Sequence, residues 1–264
     1  MKPHLPLAGL RIVVTRPAGQ AAGLSALIRQ AGGEPLELPA IEIRDLADLA
    51  PFHAVADRLE SFDCAIFVSR NAVRKALPLL EERRAGRPWP AHLRVATVGA
   101  GSREELTARG FSAVIAPAGQ ADSEALLALP EFTAVAGRRI AIFRGEGGRP
   151  TLGETLAARG AEVEHAACYR RTLPAAGRAA LAEAWAGGKV DAVLVSSGEG
   201  LANLLEMLGG EALQRLTGTA LFVPHRRVAE AAARRGLGRA LVAGPGDAEV
   251  SAALVAYFGG ASYN

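Results

Sequence analysis

Short apolar runs alternate with stretches of helical spacing from one end of the chain to the other. Residues 11–15 form a β-branched run, and Leu24, Leu27 and Ile28 then place an apolar face on a helix over residues 20–30. Residues 34–43 form one extended segment. The alternation predicts further strands over 65–68, 95–98, 114–115, 139–143, 162–168, 192–195, 219–223 and 240–243. It predicts further helices over 71–80, 103–109, 123–129, 151–158, 199–208, 228–235 and 247–257. Alternating strands and helices indicate parallel sheets with helices on both faces.

This pattern occurs twice, with its two copies 128 residues apart (191 − 63). Residues 62–69 (FDCAIFVS) return at 190–197 as VDAVLVSS, and residues 10–16 (LRIVVTR) return at 138–144 as RRIAIFR. We therefore expect an α/β protein of two similar doubly wound parallel-sheet lobes. Ligands of such sheets gather beyond the carboxyl ends of the strands, so we expect the active-site cleft between the lobes.

The boundary between the lobes depends on residues 36–41 and their repeat mates, residues 164–169. If both segments are long strands that cross between the lobes, lobe one consists of residues 1–38 and 172–264, and residues 39–171 form an inserted lobe two. If they do not cross, the lobes are two sequential halves of the chain. The hydrophobic pattern fits both arrangements.

Composition narrows the class of protein. A chain of 264 residues that is 50% hydrophobic is long enough for two cores. Its net charge of +3 lacks the concentrated basic stripe of a nucleic-acid binder and suits a small anionic ligand. The sequence has neither a signal-peptide core nor the roughly 18 apolar residues that span a bilayer. We therefore expect a soluble, cytoplasmic protein that binds neither nucleic acid nor membrane. Cys64 and Cys168 lie in apolar runs, which predicts buried, unreactive thiols.

The turns that follow the predicted strands are rich in serine, threonine, glycine and arginine. They are Thr15-Arg16-Pro17, Ser69-Arg70-Asn71, Gly99-Ala100-Gly101-Ser102, residues 144–148, Ser196-Ser197-Gly198 and Pro224-His225-Arg226. Such residues, together with free N–H groups at helix N-termini, suit carboxylates or phosphates. The alternative for Ser69, Ser102 and Ser197 is plain helix N-capping.

Motifs for several other chemistries are incomplete in this sequence. Gly99-Ala100-Gly101 follows a strand, but Glu104 stands where a dinucleotide-binding fingerprint has its third glycine. The glycine-rich residues 145–149 lack the Gly-Lys-Ser/Thr of a phosphate-binding loop, and there is no G-x-S-x-G elbow. The five histidines have no metal-ligand spacing. The sequence therefore disfavours NAD, hydrolase and zinc chemistry.

Tyr169-Arg170-Arg171 ends an apolar run at the predicted crossing between the lobes. One interpretation is a tyrosine packed at a domain interface, followed by solvated arginines. The other is a phenol that faces the cleft as a hydrogen-bond donor or weak general acid.

In order and spacing, these segments resemble the uroporphyrinogen-III synthase family over nearly the whole chain. The segments that carry the resemblance are Val14-Thr15-Arg16-Pro17, residues 67–73, Val98-Gly99 with Ser102, Arg144-Gly145, Cys168-Tyr169-Arg170-Arg171 and Val195-Ser196-Ser197. No single one of them is distinctive. The ordered set, together with the repeat, makes the match specific.

The resemblance implies a cyclising hydro-lyase of tetrapyrrole (heme or siroheme) biosynthesis. Its substrate is hydroxymethylbilane, a linear tetrapyrrole with eight carboxylates, which loses water and closes with ring D inverted, through azafulvene and spiro-pyrrolenine intermediates. The resemblance implies no cofactor and no metal, two lobes joined by a two-strand ladder, and the upstream bilane-forming deaminase as a candidate partner. It also favours the discontinuous lobe one.

Candidate site residues follow from the resemblance and from the polar turns. The tyrosine that assists departure of the hydroxyl falls on Tyr169. The candidates for holding the acetate and propionate arms are Arg16, Ser69, Gly99, Ser102, Arg144, Gly145, Ser196, Ser197 and His225.

Two rival classes fit parts of the pattern. A non-catalytic two-lobe protein that binds a small anion would share the repeat and the cleft. A nucleotide-sugar transferase would need an acidic residue on the ribose, and the sequence offers no convincing one. Nothing in the sequence demands more than a monomer.

Overall fold

The computed structural model of the chain describes residues 5–118, 122–238 and 240–260. Its strands are β1 Arg11–Val14, β2 Glu34–Glu37, β3 Glu42–Arg44, β4 Cys64–Phe67, β5 Arg94–Thr97, β6 Val114–Ile115, β7 Arg139–Gly145, β8 Glu162–Thr172, β9 Ala192–Leu194, β10 Ala220–Val223 and β11 Leu241–Val242. Its helices are α1 Ala22–Gln30, α2 Ala50–Ala56, α3 Arg70–Arg83, α4 Ala100–Ala108, α5 Ser123–Leu127, α6 Pro130–Thr133, α7 Thr151–Ala158, α8 Gly177–Ala186, α9 Gly198–Leu208, α10 Ala212–Leu216, α11 Arg226–Ala233 and α12 Asp247–Gly259. Short 3₁₀ turns lie at Leu59–Ser61 and Gly209–Glu211.

The strands form two sheets, and each sheet takes strands from both copies of the sequence repeat. One sheet has the order β11-β10-β9-β1-β2, and the other has the order β3-β8-β7-β4-β5-β6. The repeat mates β1 and β7, β9 and β4, and β10 and β5 occupy equivalent places in the two orders. Neighbouring strands are parallel throughout β11-β10-β9-β1-β2 in the first sheet and throughout β8-β7-β4-β5-β6 in the second. The predicted α/β fold of two doubly wound parallel sheets is therefore confirmed.

The chain divides into two compact units. Unit 1 consists of Met1–Glu42 and Thr172–Asn264, and unit 2 consists of Ile43–Arg171. Residues 1–4 and 261–264, which belong to the predicted lobe one, lie outside the described residues.

Each sheet is buried on both faces because alternate residues of a strand point to opposite sides. In unit 2, Ala65 and Phe67 of β4 belong to one apolar cluster, and Cys64 and Ile66 belong to the other. In unit 1, Val193 of β9 lies in one cluster, and its neighbours Ala192 and Leu194 lie in the opposite one. The apolar runs without polar alternation are explained by this double burial.

In each sheet, one aspartate connects a strand from the first copy of the repeat with a strand from the second copy. The Asp63 carboxylate accepts a hydrogen bond from the backbone N–H of Arg139 at 2.8 Å, and Asp191 accepts one from the N–H of Arg11 at 3.0 Å. The bond from Arg139 is the main cause that holds the pKa of Asp63 below its usual value. Both aspartates precede a central strand, so each fixes the register of the neighbour that enters the sheet from the other copy of the repeat.

Several element predictions differ from the structure. Residues 34–43 form two separate strands, β2 and β3, instead of one extended segment. Helices α2, α6, α8 and α10 were not predicted. Helix α8 is alanine-rich, so its sequence offers little contrast between the buried residues Leu181 and Ala184 and the rest. Helix α4 begins at Ala100 rather than at residue 103, because the chain enters it directly from extended Gly99.

Candidate active site

In unit 2, the predicted site residues lie at the carboxyl ends of four adjacent parallel strands. Tyr169 lies on β8, Arg144 and Gly145 end β7, Ser69 follows β4, and Gly99 follows β5. The sheet order β8-β7-β4-β5 therefore brings residues from both copies of the repeat to one edge.

A β-bulge sets the position of Tyr169. Arg144 pairs with Ala167, but the next residue, Gly145, pairs with Tyr169, so Cys168 is an extra residue on β8. The Tyr169 ring then lies directly against the backbone of Gly145, where a Cβ would come within 2.7 Å of the ring carbon Cε2. The requirement for glycine at position 145 is therefore steric.

The Tyr169 hydroxyl lies 3.1 Å from Ser69 Oγ. Ser69 is also the N-cap of α3, and its Oγ accepts the backbone N–H of Ala72 at 3.0 Å. The tyrosine side chain is only 1% exposed, whereas Ser69 is half-buried. The hydroxyl pair thus has a buried end at Tyr169 and a more accessible end at Ser69.

Among the described residues of unit 1, this hydroxyl pair has no equivalent. Ser197 caps α9 through Gly200 N–H at 3.0 Å, as Ser69 caps α3. However, residue 41, which is 128 positions before Tyr169, is the buried apolar Ile41. The phenol therefore makes the two units chemically different, although their folds repeat.

Helix N-capping, the alternative role considered for these serines, is observed for Ser69 and Ser197 but not for Ser102. Ser102 lies inside the first turn of α4, is 6% exposed, and leaves the cap position to Gly99. The early start of α4 is the reason.

Arg144 is a half-buried cation near the carboxyl end of β7. Its Nε donates to the Gly145 carbonyl at 3.4 Å, and its Nη1 lies 3.5 Å from Nδ1 of His165. Burial is the main cause that lowers the pKa of Arg144, and the nearby charge of Arg171 adds to it. His165 is an exposed residue, but partial desolvation of its ring, followed by the charge of Arg144, lowers its pKa.

In unit 1, three predicted residues line one small pocket. Arg16, Ser196 and His225 lie there, at the ends of β1, β9 and β10, with an apolar floor that includes Leu24 and Phe222. Ser197, which follows Ser196, is the N-cap of α9. The predicted residues thus form one group in unit 1 and a second group in unit 2.

Sequence reasoning missed the partners of the two arginines. Arg16 pairs with Asp247 in the first turn of α12 and also reaches the Pro245 carbonyl at 3.4 Å. Arg144 contacts His165. Asp247 follows the helix-start signal Gly-Pro-Gly, but no sequence signal connects it with Arg16, 231 residues away.

The described residues contain neither a candidate metal-binding cluster nor a candidate membrane-spanning helix. Within them, no three histidine, cysteine or acidic side chains are grouped so that they could hold a metal ion. Among the helices of the described ranges, none is both long enough and apolar enough to cross a membrane.

The fold defines a doubly wound α/β protein of two repeated units, with polar groups gathered at the carboxyl ends of the strands. The family model described as uroporphyrinogen-III synthase HemD matches residues 22–249, and the chain belongs to the uroporphyrinogen-III synthase family. This confirms the predicted family and, with it, an enzyme of tetrapyrrole synthesis.

Relatives of known name agree with this assignment. The chain is similar to uroporphyrinogen-III synthase of Salmonella typhimurium, with 38% identity over 202 residues that cover 74% of this chain and 78% of the relative. It is 32% identical to the Escherichia coli enzyme over 199 residues, which cover 75% and 80% of the two chains. These comparisons give no support to the non-catalytic binding protein.

Solved structures support the fold. A mutant uroporphyrinogen III synthase from Thermus thermophilus aligns with a TM-score of 0.62 at 20% identity, over 94% of this chain and 97% of that one. Uroporphyrinogen-III synthetase from Helicobacter pylori aligns with a TM-score of 0.57 at 15% identity, over 93% and 98%.

Proposed function

We propose that this protein converts hydroxymethylbilane to uroporphyrinogen III as a hydro-lyase. The observation that carries the proposal is the Tyr169–Ser69 hydroxyl pair at the strand ends of a chain that belongs to this family. The reaction breaks the bond between the hydroxymethyl carbon and its oxygen, and the leaving hydroxide needs one proton to depart as water.

Ser69 is the member of the pair that passes this proton to the leaving group. Its Oγ accepts the Ala72 N–H and is paired with the Tyr169 hydroxyl at 3.1 Å, where either oxygen can be the donor. In the arrangement that we propose, Tyr169 donates to Ser69, which leaves the Ser69 proton for the leaving group. The Tyr169 hydroxyl, which is paired with Ser69, replaces the proton that Ser69 gives up, and the proton that ring D loses when the macrocycle closes restores the pair. Hydroxymethylpyrroles ionise readily, so this acid assistance accelerates a reaction that does not depend on it entirely.

The remaining candidates bind the carboxylate arms of the substrate. Arg144, Ser102 and Gly99 do so in unit 2 together with the free N–H groups at the start of α4, and Gly145 leaves room for the ring of Tyr169. Arg16, Ser196, Ser197 and His225 do so in unit 1. Holding a flexible tetrapyrrole so that the inverted position of ring D attacks is an orientation effect, and most of the rate enhancement comes from it.

A coupled assay tests this proposal. Porphobilinogen and a bilane-forming deaminase generate hydroxymethylbilane in the presence or absence of the protein, and the oxidised products are resolved into type I and type III uroporphyrin. We expect the type III isomer to dominate only with the protein present. Type I product alone would refute the enzymatic function and leave a binding protein.

Variants of the pair test the proton path. Tyr169→Phe removes one hydroxyl and keeps the ring packing, and we expect a loss in kcat of about ten-fold. This is less than the roughly 100-fold or more of typical general acid catalysis, because hydroxymethylpyrroles ionise readily. Ser69→Ala should lower kcat at least as much. Tyr257→Phe, at a tyrosine that is 48% exposed on α12, is the matched control and should not change kcat. If Ser69→Ala retains the full rate while Tyr169→Phe does not, Ser69 is not the donor.

A further inference from the structure

The glycine-rich segment after β7 lets two basic side chains lie against bare backbone. A Cβ on Gly153 would come within 2.6 Å of Cε1 and Nε2 of the His165 ring, and one on Gly148 would overlap the Arg144 guanidinium. Gly148 lies in the segment that lacks the pattern of a phosphate-binding loop, and Gly153 follows it in α7. Their small size is explained by the space that Arg144 and His165 occupy.

The two basic groups also contact each other. Arg144 Nη1 lies 3.5 Å from Nδ1 of His165. A guanidinium has only donors. Nδ1 can therefore accept from it only in the neutral imidazole whose proton is on Nε2. Both residues lie on the same face of neighbouring strands, because His165 pairs with Ile142 and Arg144 is two residues beyond it on β7.

Arg144 has no acidic partner in the described part of the chain. By contrast, its counterpart in unit 1, Arg16, is paired with the carboxylate of Asp247. Within the described ranges, this half-buried guanidinium contacts a carbonyl and an imidazole and no carboxylate, so its positive charge is left for another anion.

We propose that His165 is a positioning residue for Arg144: it fixes the guanidinium as a neutral acceptor and so leaves the charge of Arg144 for a substrate carboxylate. This rests on the proposed function, since hydroxymethylbilane supplies the carboxylate. An acid at position 165 would hold the arginine equally well but would neutralise it. Binding of the substrate carboxylate by Arg144 therefore depends on a neutral acceptor at position 165.

Substitutions at position 165 separate this role from simple packing. His165→Gln keeps a neutral acceptor, and we expect KM for hydroxymethylbilane to stay within about two-fold of wild type. His165→Glu pairs with Arg144, and we expect KM to rise about ten-fold with little change in kcat, as for the loss of one charge-assisted contact. Arg144→Gln should raise KM by a similar factor. His165→Glu should add little more in the Arg144→Gln background, because both changes remove the same interaction.

A control variant with the same charge change is His92→Glu, at an exposed residue before the amino end of β5, where KM should not change. Urea unfolding of every variant confirms that it is folded. Equal KM values for His165→Glu and His165→Gln would overturn the inference, as would full additivity with Arg144→Gln. These results are distinguishable from failure of the proposed function, in which the wild-type protein itself yields no type III isomer.

Discussion

Gly145→Ala is predicted to displace the Tyr169 ring and break its hydrogen bond with Ser69. The new Cβ would lie 2.7 Å from Cε2, 2.8 Å from Cζ and 3.1 Å from the hydroxyl oxygen of Tyr169. Ordinary carbon contacts are about 3.5–4.0 Å, so the ring must move by about 1 Å. The ring is rigid and 1% exposed, so it has no open space to enter.

The expected cost follows from three contributions. Overpacking a core costs about 1–3 kcal/mol, and the lost hydroxyl pair costs about 1 kcal/mol. The reduced entropy of the unfolded chain returns about 0.4–1 kcal/mol. We therefore expect the free energy of unfolding to fall by about 2 kcal/mol, seen as a lower urea midpoint with an unchanged m-value.

The matched control for this prediction is Gly198→Ala. Gly198 begins α9 beside the repeat-related Ser197, and a Cβ there would meet nothing within 4 Å. It should leave the midpoint unchanged or raise it slightly. A Gly145→Ala protein with wild-type midpoint and full type III activity would show that the ring does not depend on glycine at position 145, and our account of the pair would be refuted.

Two further predictions concern titratable groups. Burial raises the pKa of both Cys64 and Cys168 to about 12, so neither thiol should react with Ellman's reagent at pH 8 until urea unfolds the protein; rapid reaction of either thiol in the native state would contradict this. The pKa of Asp63 is lowered in the fold, so its charge contributes stability above the unfolded pKa of about 3.9, and this contribution disappears as pH falls through the folded pKa. Asp63→Asn should therefore lower the free energy of unfolding at pH 7, by less than about 1 kcal/mol because solvent screens this partly exposed carboxylate. The cost, measured by urea unfolding, should shrink as pH falls below about 3.9, and a cost that does not change with pH would mean that the charge is not responsible.

Much of the fold could be predicted because it depends on local patterns that occur twice. The uninterrupted apolar runs of β4 and β9 indicate strands buried on both faces, and the repeat gives both sheets the same order. Helix α8 escaped prediction because its alanine-rich sequence has no clear apolar face.

Local sequence indicates roles for individual residues of the site, but it does not indicate which of these residues contact each other. Ser69 and Ser197 precede helices, and their capping role follows from local sequence. The contact of Tyr169 with Ser69 depends on the bulge at Cys168, which moves the tyrosine by one register position and has no signal in the sequence. The contact of Arg144 with His165 depends on the pairing of β7 with β8, which periodicity alone does not specify.

The exchange of strands between the copies of the repeat has a consequence for synthesis on the ribosome. Apart from Glu42 at the start of β3 and Thr172 at the end of β8, all residues of the second sheet come from the continuous segment Ile43–Arg171. That sheet can therefore complete its pairing soon after residue 172 emerges. Strands β1 and β2 are made first, yet Ile12 must wait for Ala192, its partner in the centre of the first sheet. The nascent chain therefore carries an apolar N-terminal βαβ unit that stays incomplete while the second sheet forms, and the earliest-made segment is among the last to be buried.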